Sequence, residues 1–457
     1  MYKKILLGVA IVVVVSFIAI RCARTRTPSS GPAALTFYGL ADSDVFDPII
    51  TRYKSNHPGV TIKYKKFNDP VEFENLLVNE VAEGQGPDIF YLHNTWLPRH
   101  IKKLVPLKSD TFTQQKFSET YVNVTADDFI QPDPADGNRK IYALPLYVDT
   151  LALYYNKSIY EKKLPEKGKP ANNWDALKED ASKLRKQTQD GVLEEGEIAL
   201  GRADNIRLAA DIIYNFFLQS GVDFYNKDFK NAQFAGPGQE SFDYFLSFSD
   251  KKNKNYSWSA DIVPSSSPLK EVEAFLAGKV SAILAYSDLY PALETHLKNV
   301  KSRNPSVISL SDIAVMPVPQ IATNEADYKV LADYYGLAVS RNSKNAQAAW
   351  DFVQFATSQA ESKAFHQKTK LPAARRDLIE EQKKEPITDV FVSQVGYAGS
   401  YRLFSDVKFR KFMNEAVQNA LSGQTSSQAL GAAQVKISDL LKLEAPAGLY
   451  PMPPIKK

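Results

Sequence analysis

The chain has 457 residues, more than one ordinary domain holds, so two or more packed units are expected. With 56 Lys and Arg against 52 Asp and Glu the net charge is +4, and no dense basic face is present, which excludes nucleic acid as a partner. The single cysteine, Cys22, lies at the N-terminal edge and leaves the globular part without a disulfide, a cysteine metal site or a cysteine nucleophile.

Lys3 and Lys4 precede an unbroken, uncharged apolar run over residues 5–20. At about 1.5 Å per residue this run falls slightly short of a bilayer, and flanking Lys and Arg side chains extend its reach. Residues 1–22 therefore read as an N-terminal signal or anchor helix, with a retained transmembrane anchor favoured over cleavage. Lipid attachment at Cys22 is the alternative, although Arg21 stands where lipoprotein signals carry a small residue. Residues 23–34 form a flexible tether rich in Pro, Ser and Gly. The short N-terminus with two lysines favours an inside start, so the expected location is the cell membrane, with the globular part on its extracellular or periplasmic side.

From Leu35 strand and helix patterns alternate. Residues 35–38 read as a strand, and Asp42 or Ser43 can cap a helix with Val45, Ile49, Ile50 and Tyr53 on one face. Residues 60–64 read as a strand, Phe73, Leu76, Leu77 and Val81 give a helix its apolar face before Gly84, and 88–92 reads as a buried strand. This alternation predicts a mainly parallel sheet covered by helices. Ligands in such sheets sit beyond the carboxyl ends of the strands, here 39–42 and 93–96.

Residues 131–140 read as a turn with Asp136-Gly137 at its tip. The stretch 141–156 (IYALPLYVDTLALYYN) holds strand-like runs at 141–144 and 151–155, divided by a segment that Pro145 keeps out of a helix. It reads either as a turn within one sheet, with Asp149 as its turn residue, or as a crossing between two units at a cleft. Further on, Asn172 or Asn173 caps a helix, 187–197 reads as a polar loop, and 208–218 as an apolar helix closed by Gly221. Residues 269–278 read as a helix; 280–286, 313–318 and 335–340 as strands; and 345–356, 409–421 and 426–443 as helices.

No P-loop, G-x-G-x-x-G, G-x-S-x-G or H-E-x-x-H motif is present, and the five histidines lack metal-ligand spacing. No cofactor or metal is expected. Aromatic residues cluster where one run hands over to the next: Tyr38, Trp96, Tyr147, Tyr286, Tyr334, Tyr335 and Tyr401. Flat rings with a hydroxyl suit an amphipathic ligand such as a sugar.

Taken together, these segments resemble the family 1 extracellular solute-binding proteins of ABC transporters, the group that includes maltose-binding protein. Gly86-Pro87-Asp88-Ile89-Phe90 is similar to that family's G-P-D-I/V strand start, and 140–145 with 151–156 to its crossover. Ala274-Phe275-Leu276-Ala277-Gly278-Lys279 is similar to its A-F-x-x-G-K segment. Gly336-Leu337-Ala338-Val339-Ser340 with Ala349-Trp350-Asp351-Phe352-Val353 is similar to its G-x-A-I-S…A-A-W-x-F-I segment. The resemblance implies an α/β fold of the two-lobed, type II periplasmic-binding-protein kind, each lobe a mainly parallel sheet flanked by helices. Carried over, lobe one is 35–145 plus 336–378, lobe two is 146–335 plus 379–443, and 444–457 is a tail.

The resemblance also implies a monomer that delivers a small solute, a sugar or oligosaccharide, to the permease subunits of an ABC importer and catalyses no reaction. The family's cleft acceptor falls on Asp149 and its strand-end polar pair on Asn94 and Trp96. Its cleft aromatic falls near Tyr286, where Tyr286-Ser287-Asp288 replaces the tryptophan that sugar binders often carry. With the handover residues, the candidate ligand set is Tyr38, Asp42, Asn94, Trp96, Tyr147, Asp149, Tyr286, Asp288, Tyr335 and Tyr401. Two other readings stay open at this point: a surface carbohydrate-active enzyme built on Asp149, and a binding or sensor protein without a transporter.

Overall fold

The computed structural model describes residues 32–226, 229–300 and 307–444. The expected anchor over 5–20, Cys22, the tether up to residue 31 and residues 445–457 of the tail lie outside the described residues. Among the described residues no helix is long and apolar enough to cross a membrane.

Strands β1 (Ala33–Gly39), β2 (Val60–Lys66) and β3 (Ile89–His93) alternate with helices α1 (Ser43–Asn56) and α2 (Pro70–Ala82). β1 pairs in parallel with both β2 and β3, so each helix carries the chain back along the sheet. α2 begins at Pro70, where a missing N–H costs nothing, and Asp69 caps it by accepting from the Val71 and Glu72 amides. All of β3 is buried, which explains its uninterrupted apolar run.

The expected turn at 131–140 is a hairpin of β4 (Ile130–Pro132) and β5 (Arg139–Ile141), with Gly137 at φ +74. The run read as one strand over 141–144 is therefore divided. Ile141 closes the hairpin, and β6 (Ala143–Pro145) joins the edge of the first sheet, where a proline without an N–H is tolerated. β7 (Asp149–Thr150) and β8 (Ala152–Asn156) follow. α3 (Trp174–Leu184) is capped by Asn173, which accepts from the Asp175 and Ala176 amides.

Residues 187–197, expected as a loop, instead form most of a second hairpin: β9 (Lys186–Gln187) runs antiparallel to β10 (Leu193–Ile198). The polar letters mislead because Leu193, Gly196, Glu197 and Ile198 face inward, while Glu194 is exposed and Glu195 half-buried. Gly196 lies so close to the 257 backbone that a Cβ would stand 1.8 Å from the Ser257 carbonyl oxygen.

α4 (Ala209–Gln219), β11 (Val280–Ala285), α5 (Leu289–Val300), β12 (Ile313–Pro317), β13 (Val330–Asp333) and β14 (Tyr335–Val339) continue the chain. α6 (Ala346–Ala356), β15 (Ala398–Gly399), α7 (Asp406–Leu421) and α8 (Ser426–Glu444) complete the elements used below.

Two five-stranded sheets result, in the orders β2-β1-β3-β14-β6 and β12-β8-β11-β10-β9. Each has its own apolar core. The first holds Phe37, Leu92, Leu144, Leu337 and Phe352 and takes in Leu146, Val148, Ala332 and Tyr334. The second holds Leu153, Ile198, Phe216, Phe275, Ile283 and Phe409. Between the sheets β15, β13 and β7 form a small sheet of their own. It pairs Asp333 with Asp149, Ala332 with Thr150 and Val330 with Ala398. The chain thus passes between the two units on three hydrogen-bonded segments lying side by side.

Candidate cleft site

The carboxyl end of β3 runs straight into His93-Asn94-Thr95-Trp96, and the register of β14 sets Tyr335 opposite His93. The rings of Trp96 and Tyr335 meet edge to face with centroids 5.8 Å apart, and His93 lies 4.8 Å from Tyr335. Trp96 is buried, and its indole N–H donates to Asp406 Oδ1 at 3.0 Å. That bond joins the first sheet to α7.

α7 buries Phe409, Met413, Ala416 and Val417 and leaves Asp406 and Arg410 on its cleft side, one turn apart. Arg410 donates to Asp211 of α4 and, at 3.1 Å, to Asp333 of β13; its Nε lies 3.6 Å from Asp406. Asp333 also sits 3.3 Å from His93 Nε2, while Thr95 holds the other ring nitrogen at 2.8 Å. The Tyr286 hydroxyl, at the end of β11, reaches Asp211 at 3.5 Å. One ionic network therefore draws on both sheets and on the strand between them.

Burial and charge compete at each member. Burial alone would raise the Asp333 carboxyl, but the His93 and Arg410 charges outweigh it and hold it at about 2. At Asp211 burial prevails over Arg410 and pushes the carboxyl up to about 6. Burial would lower the His93 imidazole, yet the Asp333 carboxylate and its hydrogen bond leave it above the ordinary histidine value. Beside Arg410 a cleft of about 540 Å³ opens, lined along α7 by Val407, Lys411, Asn414, Glu415 and Gln418 and faced by Val71 of α2.

Of the residues singled out from the sequence, Trp96, Tyr335 and Tyr286 meet in this network. Tyr147 is linked to it, with its hydroxyl pushed well up by burial and then by Tyr335 and Asp333. Asn94 is one step behind: its amide donates to Asp128 at 3.2 Å, and Asp128 also accepts from Tyr334 and Ser400. Tyr38 is half-buried beside Phe67 at 5.2 Å, and rings of Phe67 and Phe73 connect it to Trp96. Asp42 and Asp288 are exposed, with Asp42 paired to Lys66.

Asp149 is buried, not open to solvent. It accepts from the Ser287 hydroxyl at 2.6 Å, the Ser287 amide at 3.0 Å and the Thr150 amide at 2.8 Å. Burial nevertheless pushes its carboxyl well above the usual carboxylate range, against those hydrogen bonds. It fastens the crossing strand to the turn that carries Tyr286. Tyr401 lies in the second core against Phe224 at 5.3 Å, with its hydroxyl donated to the Val222 carbonyl.

Sequence reasoning missed Asp211, Asp333, Asp406 and Arg410 and counted His93 only among the histidines without metal-ligand spacing. Asp211 carried a usable signal: it is a charge in AADIIYNFFLQ, a helix buried almost all round. Nothing local distinguished Arg410 from Arg402, Lys408 and Lys411 nearby.

A sequence model of the family described as bacterial extracellular solute-binding protein matches residues 40–363. A binding protein of Brucella abortus is 22% identical over 373 residues, covering 81% of each chain. The fold is similar to that of the sugar-binding protein MalE from Xanthomonas citri, with a TM-score of 0.73 at 15% identity over 90% of this chain and 98% of that one. It is also similar to the GacH receptor of Streptomyces glaucescens, solved unliganded and with acarbose, with a TM-score of 0.65 at 19% identity over 90% and 98%.

Proposed function

The chain belongs to the bacterial extracellular solute-binding protein family, and from that premise we propose that it captures a carbohydrate between two lobes and hands it to the permease subunits of an ABC importer. The observation that carries the sugar reading is the meeting of Trp96, Tyr335 and Tyr286 with a fixed set of charged hydrogen-bonding groups between the two sheets, of which Arg410 also lines the open groove along α7. Ring faces stack on the apolar faces of a sugar while carboxylates and a guanidinium bond its hydroxyls. The similar solved proteins named for sugar or acarbose binding support the same class. The family is one of binding proteins, so no reaction is assigned to Asp149.

The lobes in this reading are 35–145 with 336–378 and 146–335 with 379–443, and the protein acts as a monomer. Residues 5–20 anchor it to the cell membrane, and the tether holds the lobes on the outer side. A Cys22→Ala chain should stay in the membrane fraction; release into the soluble fraction would assign the anchoring to lipid.

The ligand class is tested by thermal shift over mono- and oligosaccharides, polyols, peptides and phosphates, followed by calorimetry. Saccharides should raise the melting temperature and bind saturably. A shift confined to peptides or phosphates would overturn the sugar reading.

A further inference from the structure

We propose that Asp333 is the positioning residue of a charged latch across the cleft: its carboxylate is shared between His93, at the end of the first sheet, and Arg410, on the cleft side of α7. The inference rests on the capture reading above and states how that same cleft is regulated. Asp333 ends β13, the middle strand of the three crossing segments, and pairs there with Asp149. A group at the pivot keeps its place while its two partners belong to bodies that rotate about it. Opening the cleft therefore draws His93 or Arg410 off Asp333, and closing it restores both contacts.

The surroundings leave few substitutes for those partners. From α4, Asp211 takes one end of the guanidinium; from α7, Asp406 takes the indole N–H of Trp96 and lies beside Arg410 Nε. From β3, Thr95 occupies the second nitrogen of His93. Tyr286, Tyr335 and Tyr147 face Asp333 from β11, β14 and the crossing, with Asp149 paired beside it on β7 and Asp288 just past β11, both carboxyls pushed up by desolvation. The charge the latch depends on is that of His93, which loses its proton as pH rises above its elevated value and with it the ion pair to Asp333. Asp211 is neutralised as pH falls through about 6, but it and Arg410 sit on helices packed in the same core, so both contacts of Asp333 survive that change. Closure is therefore full at acid pH and weakens as pH rises past the His93 value.

The test measures the distance between the two units in the detergent-solubilised full chain by double electron–electron resonance. Spin labels go on Glu83→Cys and Lys251→Cys in a Cys22→Ser background, both exposed positions on different units. From pH 5 to 9 the short-distance population should be highest at the acid end and fall as pH rises. Asp333→Asn and His93→Gln should each flatten the profile. Thermal melting of each variant checks that it is folded, and the wild-type profile stands even where a variant is not. A wild-type profile that does not fall as pH rises, or a folded Asp333→Asn chain that matches wild type, overturns the latch. The capture reading fails separately, if no solute in the thermal-shift screen binds.

Discussion

Asp149 and Gly196 are residues whose importance is invisible in their letters. Burial pushes the Asp149 carboxyl well above the usual carboxylate range, and it takes three donors from Ser287 and Thr150. Asp149→Ala leaves those donors buried without a partner and should lower the unfolding free energy by about 3 kcal/mol in denaturant titrations. Asp149→Asn keeps an oxygen for the two Ser287 donors and should lose less, because only the Thr150 amide gives up its partner. Equal stability of Ala, Asn and wild type would remove Asp149 from its fastening role. Gly196→Ala places a methyl 1.8 Å from the Ser257 carbonyl oxygen, so the expected result is loss of about 3 kcal/mol or of folding altogether, read by circular dichroism melts. The site was legible where a residue type announces itself, as with Trp96 and Tyr335 at strand ends. It was illegible where function depends on which distant charge arrives, because Asp211, Asp333 and Arg410 come from three separate elements.

Elements with strong local punctuation were read closely. Asn173 caps α3 as its sequence context predicts, and Asn173→Ala should cost about 1 kcal/mol, measurable as a lower denaturant midpoint at unchanged slope. An unchanged midpoint would mean that Trp174 packing alone fixes that helix start. Strand β10 was misread because its alternation puts Glu197 inside and its glycine serves close approach rather than a turn. Strand β13 was not read as a strand, since four residues give periodicity too little length to speak. α4 illustrates the opposite case: its apolar run gave the helix, and its polar letters give the site. Asn215, four residues after Asp211, accepts from the Leu331 amide at 2.9 Å and fixes α4 against β13.

At the scale of the molecule the parallel strands β2-β1-β3 were legible from alternation, while the division into two lobes followed only from the resemblance. The second sheet, expected to be mainly parallel, has a single parallel pairing, β10 with β11, and three antiparallel ones. A bound saccharide that touches both lobes should favour the closed arrangement. Solution scattering should then give a smaller radius of gyration. Trp96 fluorescence should change as well, since its indole bonds Asp406 across the cleft. Tight binding with neither signal moving would replace closure with a rigid surface site.

The interleaved strand order also constrains how the chain can be made. All strands of the second sheet lie between residues 152 and 317, so that sheet is complete in a nascent chain of that length. The first sheet begins earlier, at Ala33, yet its strand β14 lies between β3 and β6 and is not translated until residues 335–339. The N-terminal half therefore leaves the ribosome with β3 and β6 unjoined and waits for a segment encoded about 240 residues after β3 and about 190 after β6. For a protein of an extracellular family, that delay leaves its leading half unfinished, and so still able to thread through a membrane, until most of the polypeptide has been synthesised.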